Sequence, residues 1–398
     1  MSEKESSVET WTTPPDIAAF LDEHRAELIA FRRHLHSFPE LSGEESATTE
    51  LIFERLELAG LSPHILSSGT GLWCDVGSGD RCVALRADID GLAMDDTKTA
   101  HYRSRVPGVA HGCGHDMHSA IVLGAGLHLA RDESVGRVRL IFEPAEETVP
   151  GGAVTVIGDR LLEGVDTILG VHCDPKLDVG VVGLRRGALT SAADMVEITL
   201  RGPGGHTARP YLTVDLVSLA GRIATELPSA IADITNGELS VVFGSIVSGH
   251  AANVIPSSAV LRGSVRTPDR ELWKQAAGIV SRTLEGLLVG SGAEHSITYV
   301  DGVPPVVNDA EIVSIVSRVA RELGPDSLVE APRSMGGDSF AWYLEHVPGC
   351  YARLGVHDPA WGETRLDLHS GDFDVDERSL DVGIALLVGA AIAALEGS

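Results

Sequence analysis

The stretch Cys82-Val83-Ala84-Leu85-Arg86-Ala87-Asp88-Ile89-Asp90 decides the fold. Its first half reads as a buried strand, and two carboxylates stand where that strand ends. The form recurs downstream. Residues 138–142 run into Glu143-Pro144-Ala145-Glu146-Glu147, and residues 167–171 run into His172-Cys173-Asp174. A helix over about 117–130 separates the first two strands. Buried strands alternating with helices predict an α/β fold, a mostly parallel sheet with helices on both faces. In such a sheet the carboxyl ends of the strands form the ligand crevice.

Upstream, the spacing predicts helices over about 16–36 and 44–59. From about 191 to 300 the rhythm changes. Val196, Ile198 and Leu200 alternate with Glu197, Thr199 and Arg201, the pattern of a half-buried strand. The order that follows is βαββαβ, a ferredoxin-like domain inserted into the first. The expected organisation is therefore 1–189 and 303–398 for one domain and 190–302 for the insertion. The helix–strand rhythm resumes after Pro305, with helices expected over about 309–323 and 377–395 and a strand near 350–355.

The chain has 398 residues, enough for two domains with large cores. With 57 acidic against 31 basic residues, it carries no basic footprint for nucleic acid or an anionic membrane. Five cysteines without framework spacing point to a reducing cytoplasm. The first ten residues are polar, and no signal peptide is expected there. The longest uncharged apolar run, residues 382–395, is too short to span a bilayer and reads as a buried terminal helix.

Four clusters of metal-liganding types fall at strand ends or in a loop: Asp88 and Asp90; His111, Cys113, His115, Asp116 and His118; Glu143, Glu146 and Glu147; and His172, Cys173 and Asp174. Each alone has a bland explanation. An Asp-x-Asp after a strand is usually a turn or cap, and adjacent glutamates are usually a solvated helix start. Four clusters at one sheet edge argue for a site instead. Cys, His and carboxylate together suit zinc or another late first-row metal better than magnesium or calcium. A glutamate beside a liganding glutamate supplies the base that hydrolysis by an activated water needs. The rival is a thiol nucleophile at Cys113 with His115 or His118 as base.

From about His34 onward the sequence resembles the di-metal aminoacylase and carboxypeptidase G family, in its amidohydrolase branch of hippurate hydrolases, N-acyl-amino-acid amidohydrolases and indole-acetyl-amino-acid hydrolases. The segments that carry the resemblance include RRHLHSFPELSGEE, LRADIDGL, HGCGHDMH, FEPAEE, GVHCDP, GPGGHTARP, GHAANVIP and LHSGDFDVDE. It implies two divalent ions per subunit, zinc first, with manganese, cobalt or nickel as alternatives. Cys113, His115, Glu147, His172 and His369 would be the ligands and Glu146 the general base. His206, in the inserted lid, would reach across a homodimer to polarise the scissile carbonyl. Asn253 and Arg266 match positions that look like substrate-carboxylate or oxyanion contacts. Asp88, Asp90 and Asp116 would support the ligands from behind. The implied reaction is hydrolysis of an N-acyl amino acid. A dipeptidase or carboxypeptidase using the same site, and a silent metal-binding homologue, are the other readings. The chain departs from the branch at Ala93, at Gly337-Asp338-Ser339 and at Gly371, which bears on substrate preference.

Overall fold

The computed structural model describes residues 11–132 and 136–397, so the polar stretch 1–10 lies outside the described residues. The chain divides into two compact units. One is Met1–Gly187 with Asn308–Pro332 and Trp342–Ser398; the other is Ala188–Val307 with Arg333–Ala341.

In chain order the elements are α1 (Pro15–Ser37), α2 (Ser46–Leu58), β1 (His64–Ile65), β2 (Leu72–Val76), β3 (Cys82–Asp88), α3 (His115–Leu129), β4 (Arg137–Glu143), α4 (Ala153–Gly158), β5 (Thr167–Asp178) and β6 (Val182–Leu184). After β7 (Gly187–Ala188) come β8 (Ala193–Arg201), β9 (Gly205–His206), α5 (Leu216–Ile234), β10 (Ser240–Ser248), β11 (Val254–Ile255), β12 (Ser258–Arg266), α6 (Arg270–Leu288) and β13 (Glu294–Val303). The chain continues through β14 (Val307–Asn308), α7 (Ala310–Leu323), β15 (Leu328–Glu330), α8 (Phe340–Tyr343), β16 (Gly349–His357) and α9 (Ser379–Glu396).

The first unit is built on an eight-stranded sheet of order β1-β2-β4-β3-β5-β16-β6-β15. Its centre, β4-β3-β5-β16, is parallel. The chain goes from β3 outward to β4, then back across β3 to β5. That reversal puts the ligand crevice at the carboxyl ends of β3 and β5. Side chains alternate along each strand. Val83, Leu85 and Ala87 of β3 join Leu140, Phe142, Leu169 and Val171 in a core with α1, α3, α7 and α9. The alternate residues Arg86 and Asp88 therefore face the other way. The apolar run at 382–395 lies in α9, a helix long and apolar enough to cross a membrane by length and composition, but 72% buried here. It is a core helix of this unit.

The second unit has an antiparallel sheet of order β10-β12-β8-β13. With α5 and α6 between its strands, this is the ferredoxin-like arrangement. Val196, Ile198 and Leu200 pack onto Leu216, Ile223, Leu227, Ala276 and Val280 from the two helices.

Three elements differ from expectation. First, α3 starts at His115, so His115 and His118 sit on a helix and not in a loop. Gly114 takes a left-handed turn (φ 88°) that launches the helix two residues early. Second, β5 continues past Val171 to Asp178, carrying His172 inside the strand. Third, α5, which the apolar spacing places over about 213–227, runs on through Pro228 to Ile234 because Leu227 and Ile231 continue its buried stripe.

Candidate metal centre

The site is assembled at the crevice of the first unit. The β3 exit brings Asp90 against the start of α3. His115 Nδ1 lies 3.1 Å from Asp90 Oδ1 and 3.0 Å from the Asp90 carbonyl oxygen. Both are acceptors, so Nδ1 carries the proton and donates. Asp90 Oδ2 accepts from Glu147 N at 3.0 Å and from Ser42 Oγ at 2.7 Å. One carboxylate thus fixes both the His115 ring and the backbone of the Glu146-Glu147 loop.

This leaves two atoms facing each other: His115 Nε2, buried without a hydrogen-bond partner, and Glu147 Oε1, whose close neighbour is also His369. Their separation is 3.8 Å. Cys113 Sγ completes the set, with the three ligand atoms within 4.8 Å of one another. Two more predicted ligands adjoin them. His369 Nε2 is 3.2 Å from Glu147 Oε1, and His172 Nε2 is 3.4 Å from Cys113 Sγ. His172 Nδ1 donates to the Cys173 carbonyl oxygen at 2.7 Å, which turns the Nε2 lone pair toward Cys113. His369 is held in the left-handed region (φ 57°), and its backbone N–H donates to Gly112 O at 2.8 Å.

Asp88, His115 and His118 form a second close group. Its chemistry is different. His118 Nδ1 lies 2.6 Å from Asp88 Oδ1, and Nε2 accepts from Cys173 N at 2.8 Å. Both ring nitrogens are spent, so His118 has no lone pair to offer a cation. The group braces the sheet edge. Behind it, Arg86 Nε donates to Glu143 Oε2 at 2.6 Å, and the Tyr343 hydroxyl donates to the same oxygen at 2.8 Å. Asp116 faces α1, where Arg32 Nε is 2.6 Å and His36 Nδ1 2.8 Å away.

The electrostatics agree with a cation site. Burial would lower the His115 pKa, but the carboxylates of Asp88 and Asp90 raise it well above its ordinary value. A field that attracts a proton at Nε2 attracts a metal cation equally. Burial would raise the Asp88 carboxyl, and the His115 and Arg86 cations hold it well below the usual range instead. The hydrogen bond to Glu147 raises His369. Burial, reinforced by Arg353, pushes His172 far down, so it offers a neutral imidazole. Burial, reinforced by His36 and His115, lowers His111 to about 4, and burial, reinforced by Glu147 and Glu146, drives the Cys113 thiol up. A buried thiol with a raised pKa is a poor free nucleophile, and a thiolate there needs a metal to stabilise it. The five residues therefore fit a divalent metal centre through the orphaned buried nitrogen of His115 and their borderline-soft donor set.

In the second unit, β9 pairs with β11 and sets His206 opposite Val254. His206 is exposed, and its Nδ1 accepts from Ala208 N at 3.0 Å, which leaves the proton on Nε2. The Asn253 carbonyl oxygen accepts from Thr207 N at 3.2 Å, so Asn253 lies beside His206. Arg266, at the end of β12, donates to the Met335 carbonyl oxygen. Two of the departures have steric settings. A Cβ on Gly371 would come 2.7 Å from Asp95 O, and one on Gly337 would come 2.6 Å from Val303. Sequence reasoning passed over Ser42 and Glu45, although both stand in the segment PELSGEE, and it passed over Arg353 entirely.

A family model for peptidase family M20/M25/M40 matches residues 84–393. The chain is 43% identical, over 95% of its length, to a putative glutamate–cysteine ligase of Rhodococcus jostii, but covers only 47% of that relative. It is 35% identical to an N-acetyl-L-cysteine deacetylase of Bacillus subtilis, covering 89% of this chain and 85% of that one. Among solved structures, the YXEP protein of Bacillus subtilis, described as a dinuclear metal-binding peptidase of the M20 family, superposes with a TM-score of 0.83. It is 31% identical, and the match covers 94% of this chain and 99% of that one. The matched span runs from β3 to α9 and so takes in Cys113, His115, Glu146, Glu147, His172 and His369. On these matches, the chain belongs to the M20/M25/M40 family of peptidases.

Proposed function

We propose that the protein is a metal-dependent amidohydrolase that cleaves N-acyl amino acids to a carboxylic acid and a free amino acid. The observation that carries this reading is the buried, unpartnered His115 Nε2 facing Glu147 Oε1 beside Cys113, with Glu146 next in sequence to Glu147. Cys113, His115, Glu147, His172 and His369 would hold two divalent ions, with zinc first by donor type. Bound there, the ions supply Lewis acidity, which lowers the pKa of a water and polarises the amide carbonyl.

The chain's own residues supply the rest. Glu146 takes the proton of the attacking water and returns it to the amine nitrogen as the C–N bond breaks. Asp90 keeps His115 and the Glu147 backbone in place throughout. His206 offers an Nε2–H to the developing oxyanion. We assign it to the site of a partner copy, which makes the protein a homodimer. Asn253 and Arg266 remain substrate contacts on this reading. Five free cysteines fit a cytoplasmic enzyme.

The test is amine release from N-acetyl and N-benzoyl amino acids and dipeptides, with metal-loaded protein, with and without a chelator. Chelator-sensitive cleavage of an acyl amino acid is expected. Preference for dipeptides would move the protein to the peptidase reading. Cleavage that survives complete removal of metal would overturn the mechanism. Glu146→Gln should lower kcat by about 10³ or more while metal content, read by elemental analysis, stays at wild-type level.

A further inference from the structure

Arg353 has no place in the centre described above, yet it stands at its rim. It is the fifth residue of β16 and pairs in register with His172 of β5. Residues paired across a parallel ladder project from the same face, about 4.8 Å apart. Arg353 therefore stands beside His172, on the sheet face that also carries Arg86, Asp88 and Tyr351. Its guanidinium carbon lies 5.9 Å from the centre of the Tyr351 ring.

Arg353 lacks a counter-charge. The buried arginines of this unit are paired: Arg32 with Asp116 at 2.6 Å, Arg86 with Glu143 at 2.6 Å, and Arg139 with Asp75 at 2.7 Å. Arg353 is half-buried, and its side chain makes no hydrogen bond or ion pair among the described residues. In a chain with 57 acidic and 31 basic residues, a carboxylate partner would have been easy to supply. On its other flank Arg353 pairs with Gly183. A Cβ on Gly183 would come 3.2 Å from the Arg353 Cβ, so a side chain there would crowd the arginine. A half-buried guanidinium without a carboxylate partner is a receptor for an anion. Its planar fork suits a carboxylate, which it can bind through two parallel hydrogen bonds.

We propose that Arg353 determines specificity by binding a carboxylate of the substrate. The inference rests on the amidohydrolase reading and adds a substrate class to it: acyl amino acids whose charged group reaches the β16 side of the centre. That group is either the α-carboxylate of the amino acid or a second carboxylate on its side chain.

The test compares wild type with Arg353→Gln and Arg353→Lys on two substrate pairs. N-acetyl-L-methionine against its carboxamide reports the α-carboxylate. N-acetyl-L-glutamate against N-acetyl-L-glutamine reports the second one. In the pair that carries the contact, Arg353→Gln should raise KM about tenfold or more for the carboxylate member, with kcat within about threefold and KM for the uncharged member unchanged. Arg353→Lys keeps the charge without the fork and should fall between the two, which also guards against a folding defect in the first variant. Equal KM shifts for both members of both pairs would overturn the assignment while leaving the amidohydrolase reading intact. If wild type cleaves none of the substrates in either pair or in the wider panel, both readings fall together.

Discussion

Glu45 is fully buried, and its Oε1 accepts two backbone N–H groups, from Gly43 at 2.8 Å and from Ala145 at 2.7 Å. Ala145 has φ 55°, a left-handed conformation that costs a residue with a Cβ about 1–2 kcal/mol. Glu45 holds that turn in place, and the turn aims the next two residues, Glu146 and Glu147. Glu45→Ala should therefore lower kcat about ten- to a hundredfold, with KM little changed, because a displacement of about 1 Å in a catalytic group is enough. Glu45→Gln keeps the accepting oxygen and should retain kcat within about threefold. Equal losses in the two variants would show that Glu45 acts on stability alone. The segment PELSGEE was plain in the sequence, but that its glutamate reaches a strand exit some hundred residues away was not. A buried carboxylate serving backbone donors leaves no periodic signature.

At the scale of elements, the long connection from β3 to α3 is tied down by Asp96. Its carboxylate accepts from Lys98 N and Ser104 N, both at 2.9 Å, and lies 3.4 Å from His36 Nε2 on α1. Burial would raise the Asp96 carboxyl, but these donors hold it well below its ordinary value of 3.8. A depressed carboxyl adds stability that is fully present above the unfolded value and lost as pH falls through the folded one. Asp96→Asn should cost about 1–3 kcal/mol at neutral pH. Chemical denaturation at stepped pH should show that deficit narrowing below about pH 4. A deficit that stays constant down to pH 2 would remove the charge from the argument. The strands and most helices of this region follow from apolar spacing. The start of α3 does not, because it depends on one left-handed glycine, Gly114. A six-residue run rich in Gly and His reads as a loop until that turn is known. The second group, Asp88 with His118, carries metal-liganding residue types too, and residue types alone cannot show that both nitrogens of His118 are already engaged.

On the scale of the whole molecule, the proposed use of His206 across a dimer makes a quantitative demand. Glu146→Ala and His206→Ala should each be inactive. Once mixed and exchanged, they should regain about a quarter of wild-type activity, since half the dimers are mixed and one site in each is intact. Mixed dimers verified by mass but without activity would place His206 outside the partner's site. The chain order of the two units also bears on how the protein is made. Cys113, His115, Glu147 and His172 all precede the inserted unit, whereas β16, the neighbour of β5 at the middle of the sheet, follows it. During synthesis the ferredoxin-like insertion emerges whole and makes its contacts locally. The first unit must wait with an open sheet edge beside His172 until β16 leaves the ribosome. Pairings this distant in sequence form slowly and expose strand edges in the interval. The strand that brings Arg353 is thus the one that ends the nascent chain's exposure, so the rim of the catalytic crevice and protection against aggregation arrive in the same folding step.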